Sequence, residues 1–200
     1  MNLNKNALLL SIAAIASTPA FAVSANPGYF GISGGQATVE DFCGGGESSC
    51  DDSAPTFRIH GGSELSNFAN LEFGYRYVDD VEASGVISGI GFAAAVNGHF
   101  IDTTLQLGMP ESGPFRIFTK AGLMYWRLNV EAAASNGFQT ATSSDTSTGV
   151  GFRTGLGMSF ELSEQVRLRA DWDFLVNVGD EDETGETDIN VFSVGPEFRF

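Results

Sequence analysis

The chain has 200 residues and carries 10 Lys and Arg against 25 Asp and Glu, a formal net charge of −15 at pH 7. This acidic balance argues against nucleic acid as a partner, because phosphate contacts need clustered Lys and Arg. A membrane-spanning helix needs about 20 predominantly apolar residues. No segment after the N-terminal region has an unbroken apolar run of that length, so we expect no helical membrane span.

The first residues have the three parts of a secretory signal peptide. MNLNKN carries a positive charge at Lys5, ALLLSIAAIAS is apolar, and TPAFA places small residues at Ala20 and Ala22. This order predicts a leader at residues 1–22 that is cleaved after Ala22. A core helix or a membrane anchor is disfavoured, because the apolar stretch is too short to cross a bilayer. Residues 23–200 then form one domain.

In the rest of the chain, apolar and polar side chains alternate with a period of two, which is typical of strands with two different faces. In QVRLRADWDF, for example, Leu168 and Trp172 share one face while Arg169 lies on the other. The pattern predicts an all-β protein with eight strands. In chain order they lie at residues 28–39, 56–65, 69–79, 96–109, 114–130, 149–161, 165–176 and 189–200.

The connections between these strands alternate in length. Long connections are expected at residues 40–55, 132–148 and 177–188, and short ones at SNFAN, PESG and ELSEQ. GVISGIGFAAAVN either extends the fourth strand or forms an irregular loop, and both alternatives stay open. Short turns at one end and long loops at the other are typical of an outer-membrane barrel, whose even number of strands closes the sheet without an edge.

The basic residues are concentrated on the polar faces of the predicted strands, whereas most acidic residues lie between strands. We therefore predict an enclosed, ion-paired interior, because buried charges need partners. Asp102 and Glu161 are expected on the same side, and glycines make room for the long side chains. The predicted interior charges are Arg58, Glu72, Arg76, Arg116, Lys120, Arg153, Arg167, Arg169, Asp171, Asp173, Glu197 and Arg199.

These segments resemble the eight-stranded outer-membrane β-barrel family that includes the OmpA-like and opacity proteins of Gram-negative bacteria. The resemblance rests on NLEFGYRYV, FRIFTKAGLMYWRLNV, VGFRTGLGMSFELSEQVRLRADWDF and DINVFSVGPEFRF, with their order and spacing. It covers essentially the whole of residues 23–200. It implies a closed, antiparallel, up-and-down transmembrane barrel in the outer membrane, in contact with outer-membrane lipid and lipopolysaccharide. We expect a monomer without a cofactor.

The last strand carries a further implication of this resemblance. In the family a terminal aromatic strand is the recognition signal for the barrel-assembly machinery, and the matching residues are Phe198 and Phe200. Pro196 departs from the pattern, because proline is expected to interrupt the final strand. No peptidoglycan-binding domain follows Phe200, so attachment to the cell wall through such a domain is not implied.

Cys43 and Cys50 lie together in the first long connection, DFCGGGESSCDD. An even pair of cysteines in a secreted chain predicts a disulfide. Closing so short a loop would stabilise the fold by about 2.5 kcal/mol in the chain-entropy view. A metal or redox pair is the alternative, but the stretch lacks a neighbouring histidine and a CxxC spacing.

Two other groups of residues could carry chemistry. GDEDETGETD is reminiscent of a calcium loop at Asp180, Asp182, Gly185, Glu186 and Asp188, but its twelfth position is Val191 instead of the bidentate Glu that such a loop needs. A solvated acidic tip is the favoured interpretation, and weak divalent binding stays open. His60 could meet Arg58, Arg76 and Asp171 inside the barrel as part of the polar network.

The sequence therefore predicts a structural or adhesive outer-membrane protein whose acidic, Ser/Thr-rich loops meet an extracellular ligand. A narrow pore is the alternative, since an eight-stranded barrel is just wide enough to be filled by its own side chains. A lipid-modifying enzyme is a third possibility, but neither His60 nor His99 stands beside a recognisable serine motif. We expect no enzymatic activity.

Overall fold

The computed structural model describes residues 27–40, 42–43, 48–87, 89–109, 113–179 and 186–200; the predicted leader lies outside them. None of the described residues forms a helix that is long and apolar enough to cross a membrane. The strands are β1 (Gly28–Val39), β2 (Ser49–Asp51), β3 (Ser53–Ser66), β4 (Ala69–Ile87), β5 (Ile90–Gly108), β6 (Phe115–Ser135), β7 (Thr140–Glu161), β8 (Val166–Val178) and β9 (Thr187–Arg199).

Eight of these strands form a closed antiparallel ring. Each strand pairs with its neighbours in the chain, and β1 pairs with β9. The short β2 stands outside the ring and pairs with β4. The prediction of a closed, eight-stranded, up-and-down barrel is therefore confirmed. The two ends of the described chain meet at the end of the barrel with the short turns, where the Phe200 amide donates to the Gly28 carbonyl at 3.0 Å.

The predicted long loop at residues 132–148 is wrong, because this segment is a β-hairpin. β6 and β7 stay in register as far as Ser135 and Thr140. Gly137, with a φ of 85°, lies in the turn between them. The segment is rich in Ser and Thr and shows no apolar face, since water surrounds both faces of these strand ends. Without a buried face the period-two signal disappears, although the β-branched threonines favour strands.

The open question about GVISGIGFAAAVN is answered by a second long hairpin. β4 continues to Ile87 and β5 begins at Ile90, so the segment extends both strands around a turn at Gly89. The register shifts once, between Val78 and Val81. This irregularity adds residues to β4, which explains why the alternation could not be followed across it in the sequence.

β9 runs continuously through Pro196, so the expected interruption of the final strand is wrong. Pro196 stands opposite Leu168 of β8. On the other side, pairing with β1 passes from Glu197 opposite Gly31 to Val194 opposite Gly34. The missing amide of proline therefore weakens the ladder to one neighbour only, and β8 holds the strand in place.

The outer surface of the barrel carries an apolar band. On β6 this band takes up Phe115–Tyr125, close to the 9–11 residues that a tilted strand needs to cross a bilayer. Its exposed members are Phe30, Ile32, Phe57, Ile59, Phe73, Tyr75, Ile101, Leu105, Leu107, Phe115, Ile117, Leu123, Tyr125, Val150, Phe152, Leu156, Met158, Phe160, Leu168, Trp172, Phe192, Val194 and Phe198.

Candidate functional site

The interior at the level of the apolar band contains a cluster of paired charges, which we call the ionic layer. It is built from every second residue of the strands, because the same pleat that sends apolar side chains outward sends the intervening ones inward. Its members are Arg58, Glu72, Arg76, Asp102, Lys120, Arg153, Arg169, Asp171, Asp173 and Glu197, all of them buried.

Arg153 lies at the centre of the ionic layer and joins carboxylates from two sides of the barrel. Its guanidinium donates to Asp102 Oδ1 at 2.5 Å and to Asp173 at 2.9 and 3.0 Å. Arg76 and Lys120 also bind Asp173, each at 2.7 Å. Lys120 binds Asp171 as well. Each buried carboxylate in this group therefore has a cationic partner, which offsets the cost of desolvating it.

A second centre of the layer is Arg169. Its guanidinium contacts Glu72 at 2.5 Å, Asp171 at 2.9 Å and Glu197 at 3.0 Å. Arg58 completes the link between the two centres, because it binds both Glu72 at 3.0 Å and Asp102 at 2.9 Å. A single connected network of charges thus crosses the lumen.

Nine of the sequence-predicted interior charges belong to this layer, and the other three lie nearer the short-turn end. Arg199, which is partly exposed, binds Glu64 at 3.2 Å and Glu161 at 3.1 Å. Arg167 faces the same Glu161 at 3.4 Å, and Arg116 is buried. The predicted interior set is therefore divided between a closed central layer and a more open ring at the rim.

Sequence reasoning missed two members of the network. The Tyr29 hydroxyl donates to Glu72 Oε2 at 3.1 Å, and Gln106 Nε2 donates to the same oxygen at 2.5 Å. The signal was present, since Tyr29 precedes the outward-facing Phe30 and must point inward by alternation. Neither residue was predicted, because both are uncharged and only charged residues were assigned to the interior network.

His60 lies beside the ionic layer, as part of the polar interior. Its ring, Glu72 and Glu197 each offer an atom within 4.8 Å of the others, a spacing that could hold a metal ion. However, both carboxylates already bind Arg169, and His60 Nε2 is 3.7 Å from Glu197. A metal ion would have to compete with a fixed guanidinium, so the arrangement fits a charge network better than a metal centre.

Toward the end with the long connections, the interior changes from ionic to apolar. On β8, Asp173 of the ionic layer is followed by the inward-facing Leu175 and Val178, and on β4 Arg76 is followed by Val78. The predicted ion-paired interior therefore occupies one part of the lumen, and an apolar part follows it. We call this second stratum the apolar layer: Ala37, Val39, Ala54, Val78, Val81, Phe100, Met124, Trp126, Leu128, Leu175, Val178, Ile189 and Val191.

At the same height, the outward-facing side chains change from apolar to polar. On β6 the band ends at Tyr125 and is followed outward by Arg127 and Glu131, while Leu128 faces the interior. The barrel thus has an apolar outside around a charged inside, and beyond the band a polar outside around an apolar inside. The second arrangement is that of a water-exposed barrel, for which an apolar interior is the favourable one.

Cys43 and Cys50 are joined in a disulfide. Cys50 belongs to β2 and faces Ala83 of β4 in the register. The bond therefore ties the first long connection to the side of the β4–β5 hairpin. Of the calcium-like residues, Asp180, Asp182 and Gly185 lie outside the described residues. Val191 is fully buried in the apolar layer.

Beyond the apolar band, β2 and the two long hairpins form a five-stranded sheet, which we call the protruding sheet. It comprises residues 49–51, 79–87, 90–98, 127–135 and 140–149. β7 pairs with β8 only from Phe152 onward. Within the described part of the chain, the edge of β7 before that residue therefore has no neighbouring strand on this side.

Two rows of small and acidic side chains cross the outward face of the protruding sheet, lining a shallow groove of about 710 Å³. Glu82 and Glu131, both exposed, mark this face as the outward one. The rows are Ser49, Ser84, Ala93, Ala133 and Thr142, and Asp51, Glu82, Ala95, Glu131 and Ser144.

The sequence matches the OmpA-like transmembrane domain over residues 23–200. The chain belongs to this family. It is 25% identical over 203 residues to outer membrane protein A of Serratia marcescens, covering 97% of this chain and 55% of that protein. With outer membrane protein A of Shigella flexneri it shares 26% identity over 141 residues, covering 70% of this chain and 38% of that protein. The chain therefore spans only part of these relatives.

Solved structures show the same fold. Ail of Yersinia pestis superposes with a TM-score of 0.54 at 12% identity, covering 88% of this chain and 99% of that one. Neisserial surface protein A gives a TM-score of 0.52 at 19% identity, covering 86% and 97%. This OmpA-like chain is thus an outer-membrane β-barrel, with the apolar band in the lipid. The short turns face the periplasm and the protruding sheet faces outward.

Proposed function

We propose that this OmpA-like barrel, with residues 1–22 removed, anchors the protruding sheet at the cell surface, where the sheet binds a partner in adhesion or in maintaining the envelope. The observation that carries the proposal is the length of the β6–β7 hairpin. Its strands continue in register from the apolar band to Ser135 and Thr140, on the order of 20–30 Å of strand at about 3.3 Å per residue. Membrane anchoring alone does not need this extension.

The chemistry of the outward face supports a basic partner. Asp51 and Glu82 face each other in one row, which continues through Ala95 to Glu131. Small residues allow close approach of another chain, while aligned carboxylates favour Lys and Arg on it. Among the described residues, the edge of β7 before Phe152 has no neighbouring strand on this side, so its main-chain donors and acceptors are offered to an added strand, which is a recurring mode of peptide binding.

The same row argues against a polyanionic ligand. Ail was solved in complex with the heparin analogue sucrose octasulfate. On this chain a sulfated ligand would meet the carboxylates of the outward rows and be repelled. We therefore expect lipopolysaccharide phosphates to contact this protein through bridging cations or below the protruding sheet.

The test compares two shortened hairpins. In the first, Asn-Gly replaces residues 131–144, which removes Glu131 from the row, so that Val130 and Asp145, which face each other in the register, flank a two-residue turn. In the matched control, Asn-Gly replaces only residues 136–139 between Ser135 and Thr140. Proteoliposomes that carry each variant are captured on poly-lysine and poly-glutamate surfaces. We expect the first variant to lose at least half of its capture on poly-lysine and the control to keep it.

A charge-matched pair of triple variants separates the row from net charge. Asp51→Asn, Glu82→Gln and Glu131→Gln remove the row, whereas Asp79→Asn, Asp80→Asn and Asp145→Asn remove three exposed carboxylates outside it. The proposal requires the first triple variant to bind poly-lysine more weakly than the second. Equal losses would mean that only net charge acts, and the row of Asp51, Glu82 and Glu131 would not be the binding surface.

The pore and the lipid-modifying enzyme have less support. The ionic and apolar layers both lie across the lumen, so a conducting path would have to pass a layer of paired charges and then an apolar layer. As to enzymatic activity, neither histidine forms a hydrogen bond with a serine in the described part of the chain: His99 pairs with the Tyr75 hydroxyl at 2.8 Å, on the outward face. An overexpressed barrel that leaves lipid acylation unchanged would agree with this view.

A further inference from the structure

The interior of the barrel contains an apolar cavity of about 230 Å³ at its outward end, directly beyond the ionic layer. Its walls are inward-facing side chains of the apolar layer, among them Val78, Val81, Phe100 and Leu128. Protein interiors are packed closely enough that voids much larger than a water molecule are few. A cavity of this size in the centre of the barrel is therefore a feature to explain.

The polar groups around the cavity are already engaged. Asn97 Nδ2 donates to Asp80 at 2.9 Å, and Asn97 Oδ1 accepts from Asn129 at 2.9 Å. The Thr187 hydroxyl donates to the Glu40 carbonyl at 2.6 Å. A molecule in the cavity would thus find no waiting hydrogen-bond partner among the described lining residues. Apolar cavities of this kind stay dry and accept apolar guests.

The lining of the cavity selects against anions. Glu40, which follows the lining residue Val39, turns away from the lumen, because its carboxylate accepts from the outward-facing Asn190 at 2.5 Å. A carboxylate ligand would lose its hydration in an apolar chamber without finding a polar partner there, which is costly. The lining therefore favours a neutral guest.

Phe42 lines the cavity on the side of the first long connection. Its half-buried ring packs against the apolar layer. The next residue, Cys43, is bonded to Cys50 in β2, which is paired with β4. The disulfide thus holds this part of the lining to the wall of the barrel.

We propose that this cavity is a binding site for a small neutral apolar molecule about the size of a substituted benzene. An apolar cavity of about 150 Å³ holds benzene, and the larger volume here admits a ring with a short substituent. The site is separate from the outward face of the protruding sheet and does not depend on the function proposed for that face.

The test uses Trp126, which belongs to the apolar layer and stands opposite Phe100 in the register. The exposed Trp172 is replaced, Trp172→Phe, so that tryptophan emission reports only from the interior. Bromobenzene, whose bromine quenches tryptophan at short range, is titrated into proteoliposomes that carry the full barrel. We expect quenching that saturates, whereas bromobenzene dissolved in the surrounding lipid gives no saturating component at a tryptophan inside the barrel.

Val81→Phe, which fills the cavity, should weaken the saturating component at least tenfold. Val86→Phe makes the same change on the exposed outward side of β4 and should leave it unchanged. Val96→Phe is a second filling variant at a half-buried wall position, for use if Val81→Phe does not fold. Folding of each variant is checked by the resistance of the barrel to detergent before heating.

Two results would overturn the proposal. One is quenching that rises linearly with bromobenzene, or that Val96→Phe and Val81→Phe leave unaltered, which would place the probe outside the cavity. The other is equal quenching by 4-bromobenzoate, because the apolar lining should exclude a carboxylate. Saturable quenching by bromobenzene alone, lost in the filling variants, supports a neutral apolar ligand.

Discussion

Arg153 illustrates how single residues stabilise this barrel. It is nearly inaccessible, with 1% of its surface exposed, and it joins Asp102 to Asp173 across the lumen. Removing one partner of a buried ionic group leaves the others uncompensated, which is far more costly than never having buried a charge. The exposed Arg127 lies on the outward face of the same sheet, where water can solvate its charge.

We expect Arg153→Met to destabilise the barrel by about 3–5 kcal/mol, because Asp102 and Asp173 lose a cationic partner in a water-poor interior. Arg127→Met changes the same side chain at an exposed position and should shift stability by roughly 0.5 kcal/mol or less. Urea unfolding in lipid vesicles, followed by tryptophan emission, measures both. Similar losses in the two variants would show that the ionic layer is not a stabilising network.

Prediction at the residue scale succeeded where alternation and charge coincided. Asp171 and Asp173 could be placed inside because Trp172 between them must face outward. Partners could not be assigned, because which carboxylate meets which guanidinium depends on strand stagger around the ring. Arg169 and Glu72, for instance, are far apart in sequence and 2.5 Å apart in the lumen.

At the scale of elements, the long hairpins were the main surprise. Within the lipid, one face of a strand meets lipid and the other meets the polar lumen, so its sequence alternates between apolar and polar side chains. Outside the lipid, the same strand has water on its outward side and can use Ser, Thr and Ala freely. The hydrogen bonds to the neighbouring strand are made by the backbone, so they continue where the side-chain pattern ends.

The terminal strand β9 gives a prediction about assembly. Phe198 and Phe200 carry the aromatic ending that resembles the family's assembly signal, and Phe200 is 84% exposed. Phe200→Ala removes few contacts, so refolding in detergent should be unaffected. We expect its level in the outer membrane of growing cells to fall several-fold, measured by surface labelling of intact cells.

Phe192→Ala, at another exposed position of β9, is the control and should assemble normally. Equal losses for Phe192→Ala and Phe200→Ala would mean that outward aromatic area, and not the chain ending, determines assembly. Poor refolding of Phe200→Ala in detergent would instead point to a structural role, since its backbone closes the pair with Gly28.

At the scale of the whole molecule, the two internal layers determine what can pass. The ionic layer lies within the apolar band, and the apolar layer lies beyond it. An ion moving along the lumen would first meet fixed, mutually paired charges. It would then enter the apolar layer, where the lack of polar partners is costly for any charged species.

We expect the refolded chain, residues 23–200, to be electrically silent in a planar bilayer, because the paired charges of the ionic layer cross the lumen and the apolar layer offers an ion no polar partners. Arg169→Ala, which removes a centre of the ionic layer, should also be silent, since the apolar layer remains. Reproducible stepwise openings of the unaltered chain would identify a narrow pore. Openings only with Arg169→Ala would show that the ionic layer alone blocks the lumen.

The sequence by itself determined the strand number, the closed antiparallel topology, and which faces meet lipid. These properties follow from local alternation, which records the surroundings of each side chain one residue at a time. It also contained the pairing of Cys43 with Cys50, since no other cysteine is present.

Only the tertiary structure decided the ionic partners, the protruding sheet and the apolar cavity. Each depends on the stagger of strands around the ring, which sets the height at which distant residues meet. The cavity depends further on the sum of many side-chain volumes that no single strand records. Local patterns specify what each residue faces, whereas contacts and voids across a lumen are properties of the closed barrel.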